Sequence, residues 1–199
     1  MISLTKKERE ALLILFKEFT NSYNANSISK ILNISHVGAQ KIFKRLCNNS
    51  ILKYEKIGNS IIYKLKLEDD YVCKLISFLL TDEANRYKRW MEEFKELFKK
   101  NRIVMIFGSI IKDYEKAKDV DIIIVMNNED IKEVNKILKQ REGILPKKIH
   151  AIKITNNDLI ENIKKRNKSI INIIGNAVII YGQDKYVNVI KNVSNIYWR

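Results

Sequence analysis

Phe107-Gly108-Ser109 closes an apolar run, residues 103–107, and Asp119-Val120-Asp121 follows ten residues after the serine. A second apolar run, residues 122–126, begins directly behind it. Along a strand, residues i and i+2 point to the same face, so Asp119 and Asp121 are expected side by side at a strand start. Two adjacent carboxylates repel unless a cation lies between them. Hard oxygen ligands of this kind favour Mg²⁺ or Mn²⁺. Gly108 lets the backbone approach an anion closely, and Ser109 adds a hydroxyl and an N–H donor. A phosphate grip beside a divalent-metal pair is the equipment for nucleotidyl transfer.

Further elements on either side must hold this pair in place. Trp90, Phe94, Leu97 and Phe98 repeat at helical spacing and predict a helix from Asp82 to about residue 101, behind an apolar helix at 71–80. After the acidic strand, Ile131, Val134, Ile137 and Leu138 predict an amphipathic helix over 128–140. A strand follows at 147–155, reading Lys-Lys-Ile-His-Ala-Ile-Lys-Ile-Thr, without an acid. Helices at 157–165 and 169–174 flank the basic run Lys164–Lys168, either a solvated helix end or a phosphate contact. A short strand ending in Tyr181-Gly182 and a last amphipathic helix over 186–197 complete the set.

On these residues, positions of about 100–185 resemble the DNA polymerase beta-type nucleotidyltransferases, and within them the minimal nucleotidyltransferases. The shared pattern is a Gly-Ser turn after a strand, then Asp-x-Asp opening the next strand; Gly175–Gly182 is similar to the family's closing strand. The resemblance implies that Gly108 and Ser109 hold an NTP's triphosphate and that Asp119 and Asp121 bind Mg²⁺ or Mn²⁺, with Ser109, Asp119 and Asp121 as the catalytic set. The chain departs from the family at three places. Asp113 stands where a second glycine is common, and Lys118 where a serine usually precedes Asp-x-Asp. The family's third carboxylate falls on the strand at 147–155, where only His150 and Lys153 are candidates for its place.

The chain has 199 residues and a formal net charge of +14. Such an imbalance favours polyanions, DNA, RNA or nucleotide phosphates. A composition rich in Lys, Ile and Asn also raises charge without any partner, so placement decides. The stretch from Ser35 to Lys66 carries Lys41, Lys44, Arg45, Lys53, Lys56, Lys64 and Lys66 against Glu55 alone. This local thinning of acids is not expected from composition bias. No apolar run reaches the ~18 residues of a membrane span, so no membrane partner is expected. The first residues, Met-Ile-Ser-Leu-Thr-Lys-Lys, lack the apolar core of a secretory signal. Cys47 and Cys73 sit in apolar helical patterns as small buried hydrophobes, which fits a reducing cytoplasm.

The basic stretch lies on a recognisable element order. Thr5 and Glu8 form a capping box opening a helix at 6–20. A short helix at 27–32 follows, then Ser35 caps a third helix running to residue 48, with Ala39, Ile42, Phe43 and Leu46 as its buried stripe. Strands at 51–56 and 61–65 flank a turn at Gly58-Asn59. This is similar to a winged helix-turn-helix, with the pattern apolar-Ser-x-x-x-Ala-x-x-x-x-x-x-Leu at Ile34, Ser35, Ala39 and Leu46. The resemblance implies double-stranded DNA as partner, the third helix entering the major groove. His36, Val37, Gln40, Lys41, Lys44 and Arg45 would face it, with Lys56 and Asn59 on the hairpin. Gln40 suits an adenine edge and Lys41 a guanine. A dimerisation or protein-docking module is the alternative.

The expected class is therefore α+β: a winged helix-turn-helix at 1–68, a helical linker at 69–101, and a small mixed-sheet nucleotidyltransferase domain with flanking helices at 102–199. Two functions remain open. One is Mg-dependent transfer of a nucleotide from NTP to a hydroxyl acceptor, such as a toxin protein, combined with DNA binding. The other is a DNA-binding transcription regulator whose degenerate domain senses a nucleotide. A homodimer is compatible with either.

Overall fold

The computed structural model describes residues 3–197. The chain is α+β and divides into two compact units, with the boundary between Leu79 and Leu80. In the first unit, α1 (Lys6–Lys17) opens with the expected capping box, the Thr5 side chain accepting from the Glu8 N–H and the Glu8 carboxylate from the Thr5 N–H. Helices α2 (Ala25–Leu32) and α3 (His36–Asn48) follow. Asn33, at φ +50°, ends α2 in the left-handed conformation that lets the chain reverse direction. The Ser35 Oγ accepts from the Gly38 N–H and starts α3. Strands β1 (Leu52–Ile57) and β2 (Ser60–Leu65) form an antiparallel hairpin, Leu52 opposite Leu65 and Ile57 opposite Ser60. Phe43 is fully buried, with its ring 4.2 Å from that of Tyr63.

The second unit is built on a four-stranded mixed sheet. Its strands are β3 (Ile103–Phe107), β4 (Asp119–Val125), β5 (Lys148–Ile154) and β6 (Val178–Tyr181), in the order β5-β4-β3-β6. β3 is antiparallel to β4 and β6, while β4 and β5 run parallel. Parallel strands need a crossover, here α6 (Ile131–Glu142). Val134, Ile137 and Leu138 of α6 join Trp90, Phe94, Val104, Ile106, Ile122 and Ile124 in one core on one face of the sheet. The other face carries Met105, opposite Ile123 and Ile179, all fully buried. α7 (Asn156–Lys164), α8 (Lys168–Asn176) and α9 (Gln183–Tyr197) complete the unit. Gly182, at φ +82°, lets the chain leave β6 against β3: a Cβ there would lie 2.5 Å from the Arg102 carbonyl oxygen.

Three expectations are corrected. The break near Thr81 does not exist: α4 runs from Asp70 to Ala84 without interruption. Val72, Ile76, Leu79, Leu80 and Ala84 are one buried stripe, and Asp82 and Glu83 fall outside it. The long helix to residue 101 is instead a chain of short pieces. A 3₁₀ turn at Asn85–Tyr87, α5 (Lys88–Glu93) and a second 3₁₀ turn at Lys95–Leu97 replace it. Trp90, Phe94 and Leu97 all remain in the core, so the periodicity survives while tighter turns redirect the axis. The cysteines form no disulfide and are only half-buried.

Candidate functional site

β4 enters the sheet at its acidic end. Ile122–Val125 is a buried, β-branched run, which forces a central strand and leaves Asp119 and Asp121 at its mouth. Asp121 sits opposite Phe107 on β3 and beside His150 on β5. Paired residues share a face, so Asp119, Asp121 and His150 all lie on the side away from the Trp90–Phe94 core. The His150 Nδ1 is 3.2 Å from the Asp119 Oδ2 and 3.7 Å from the Asp121 Oδ1. One ligand atom from each of the three lies within 4.8 Å of the others. No other Asp, Glu, His or Cys among the described residues joins this group.

Gly108 follows β3 with φ +78° and opens a short 3₁₀ turn, Gly108–Ile111. A Cβ on Gly108 would lie 2.2 Å from the Asp121 Oδ2. Only glycine therefore allows the turn to close onto that carboxylate. Burial, and then the charge of Asp119, push the Asp121 carboxyl above its ordinary range. Two hard oxygen donors, one imidazole and a turn free of side-chain bulk fit a divalent cation next to an anion. Ser109 is exposed at the turn.

The segment from the turn to Asp119 is held by residues that spacing rules do not single out. The Arg89 guanidinium lies 4.0 Å above the Tyr114 ring and donates to its hydroxyl at 2.8 Å. The Lys147 ammonium is 4.7 Å from the same ring and donates to the Ala117 carbonyl. These cation–π contacts pin the loop and bring two positive charges to its edge. Lys116 holds the Asp113 carboxyl below its ordinary range, with backbone N–H groups and Lys147 adding to the effect. The only sequence signal is an aromatic residue inside a lysine-rich loop. Of the acids near the missing third carboxylate in sequence, Asp158 caps α7 through Thr155. Lys153 donates to the Asn135 side chain. His150 alone reaches the pair.

In the first unit, His36, Val37, Gln40, Lys41 and Lys44 are exposed along α3, opposite buried Ala39, Phe43 and Leu46. Lys56 and Asn59 are exposed on the hairpin, where Gly58 takes φ +57°. Arg45 is differently employed: its guanidinium grips the buried Glu8 carboxylate at 3.0 Å and the Ser3 carbonyl at 2.7 Å. Lys64 and Lys53 pair with Glu55 and Glu68. The basic stretch is thus less available than its number of cations implies, because part of it closes internal ion pairs.

Residues 92–186 match the family model described as "Polymerase beta, Nucleotidyltransferase". This stretch contains Gly108, Ser109, Asp119, Asp121 and His150, and it is similar to a nucleotidyltransferase domain. Among solved structures, a mutant of Lactococcus lactis ZitR shares 19% identity over 47% of this chain and 64% of that chain, with a TM-score of 0.36. This chain therefore spans under two thirds of that protein's length. A second ZitR mutant shares 15% identity over 70% of this chain and 74% of that chain, with a TM-score of 0.34. Likeness this low bears on neither fold nor function. No curated protein matches the chain. Among the described residues no helix is long and apolar enough to cross a membrane.

Proposed function

We propose that the second unit transfers a nucleotide from an NTP to a hydroxyl acceptor, and that the first unit is a winged helix-turn-helix that binds double-stranded DNA. The observation that carries the first half is the Asp119–Asp121 pair closed against Gly108. Backbone N–H groups of the Gly108-Ser109 turn and the Ser109 hydroxyl would hold phosphate oxygens. Asp119 and Asp121 would hold a Mg²⁺ or Mn²⁺ ion, which when bound neutralises charge on the triphosphate. Arg89 and Lys147, held against the loop between the turn and Asp119, would add positive charge that favours the polyanion. In the transfer, the acceptor oxygen bonds to the α-phosphorus and the bond from that phosphorus to the bridging oxygen breaks. Pyrophosphate leaves, and the hydroxyl proton passes to water.

A second reading is favoured by one observation. The place opposite Asp121 on β5 holds His150 rather than an acid. In that reading the domain binds the nucleotide without transferring it, and the protein is a transcription regulator that senses the ligand. DNA binding is supported in either case by the exposed row His36, Val37, Gln40, Lys41 and Lys44 on α3 and by Lys56 and Asn59 on the hairpin. Such a regulator is expected as a homodimer on two half-sites. Two cysteines outside any disulfide fit a cytoplasmic setting.

The test is incubation with each α-labelled NTP and Mg²⁺ or Mn²⁺, offering the protein itself, RNA and partner proteins such as a toxin as acceptors. Label transferred by the wild type but not by Asp119→Asn/Asp121→Asn supports transfer and names the acceptor class. Metal-dependent binding without transfer supports the sensor. Labelling unchanged in the double variant overturns the assignment of the site.

A further inference from the structure

We infer that His150 is the third protein ligand of the metal site, and that the site therefore selects a borderline first-row cation, Co²⁺ or Zn²⁺, over Mg²⁺. This rests on Asp119 and Asp121 holding the metal.

The placement of His150 is topological. Parallel pairing of β4 with β5 runs in unbroken register from Asp119 beside Lys148 to Val125 beside Ile154, and it sets His150 beside Asp121. A slip by one residue would turn the imidazole to the core face and bring Ile149 out to the acids. Ile149 is buried in the core, so burial locks the register that presents His150. The distances also fit. Two ligand atoms, each about 2.1 Å from a tetrahedral ion, lie roughly 3.4 Å apart. The Nδ1–Oδ separations of 3.2 and 3.7 Å bracket that value before any ion has drawn the ligands together.

The donor set decides the metal. Mg²⁺ demands oxygen ligands and keeps several waters. Imidazole suits Zn²⁺ and its neighbours, whose affinities rise along the first row. A neutral imidazole also leaves the set with two negative charges instead of the three that a third carboxylate would supply. That weakens the electrostatic hold on Mg²⁺, while the nitrogen strengthens the hold on the softer ions. His150 has an exposed side chain, so a cation held there would exchange with solvent. The site would thus be loaded by a scarce transition ion rather than by abundant Mg²⁺.

Calorimetric titration of the metal-stripped full chain with Zn²⁺, Mn²⁺ and Mg²⁺, without nucleotide, tests this. Exposure of His150 makes His150→Ala and His150→Asp tolerable to the fold, and circular dichroism melts verify that. The wild type is expected to bind Zn²⁺ about 100-fold more tightly than Mg²⁺. His150→Ala should weaken Zn²⁺ at least about 10-fold and change Mg²⁺ by less than about 3-fold, the size of loss a missing ligand shell group produces. His150→Asp should gain Mg²⁺ affinity and lose the preference. Equal Zn²⁺ affinity in wild type and His150→Ala, with loss in Asp119→Asn/Asp121→Asn, overturns the role of His150 and leaves the carboxylate pair standing. Zn²⁺ binding that survives in every variant lies elsewhere and overturns it too. Absence of any metal binding by the wild type sinks both this inference and the metal assignment beneath it.

Discussion

Gly108 and Asp121 touch so closely that neither residue's role exists without the other. The turn needs a left-handed φ of +78°, and the carboxylate occupies the space a side chain would take. In Gly108→Ala the methyl group must displace the Asp121 Oδ2, and the backbone must leave a conformation costly to alanine. Strain of roughly 1–3 kcal/mol in the bound geometry corresponds to about 5- to 150-fold weaker nucleotide binding. Equilibrium dialysis with labelled NTP reads this; unchanged affinity would mean that the turn does not form the phosphate grip. Arg45 shows the opposite relation. Its place on α3 suggests DNA, but it is bound to Glu8, a buried carboxylate only 2% exposed. Arg45→Ala should therefore lower the melting temperature more than it weakens DNA binding.

At the scale of elements, α3 has two sides with separate duties. Phe43, on the buried side, packs on Tyr63 of the hairpin and couples helix to wing. Phe43→Ala should cost about 3–5 kcal/mol of stability, measured by denaturant unfolding. In the second unit, Arg102 at the start of β3 is fully buried and binds Asp130 at 2.9 Å and Glu133 at 2.7 Å. It thereby ties the sheet to the start of α6. The Arg102 hydrogen bond holds the Asp130 carboxyl below its ordinary range, and Lys99 with Arg102 does so for Glu133. Lowered folded values mean that the stability from these carboxylates is present above their unfolded values of about 4 and is lost as pH falls through the folded ones. The melting-temperature gap between wild type and Arg102→Met should accordingly be widest near pH 7 and close as pH drops below about 4. A gap independent of pH would show that Arg102 acts only by packing.

Over the whole molecule, the charge of +14 is divided among several jobs. One part lines α3 and the hairpin, another is held against the loop that leads to Asp119, and a third closes ion pairs. Lys41→Glu/Lys44→Glu should weaken DNA binding and reduce its dependence on salt, by about one unit of slope for each phosphate no longer neutralised. The same variant should bind NTP as the wild type does. Conversely, Asp119→Asn/Asp121→Asn should retain DNA affinity in the absence of nucleotide. Gel shifts at two salt concentrations, paired with nucleotide dialysis, measure both. Loss of both activities in either variant would mean a shared site and would refute the division.

Local patterns were enough for the elements: the Thr5–Glu8 capping box, the Ser35 cap, the α3 stripe and the Gly108-Ser109…Asp119-x-Asp121 spacing are all short-range, and each is found where its residues placed it. The α4 continuity and the broken stretch behind it were not legible, because a hydrophobic stripe reports which residues are buried and not whether the axis stays straight. Arg45 could be read as cationic but not as occupied, since Glu8 is far from it along the chain. Nor does an acid-free strand tell whether His150 or Lys153 takes the third place. That was decided by parallel pairing of β5 with β4, in which one residue of register turns a side chain from one face of the sheet to the other. Covalent neighbours set secondary structure; contacts distant in sequence set which charges meet, and the candidate chemistry lies in those meetings.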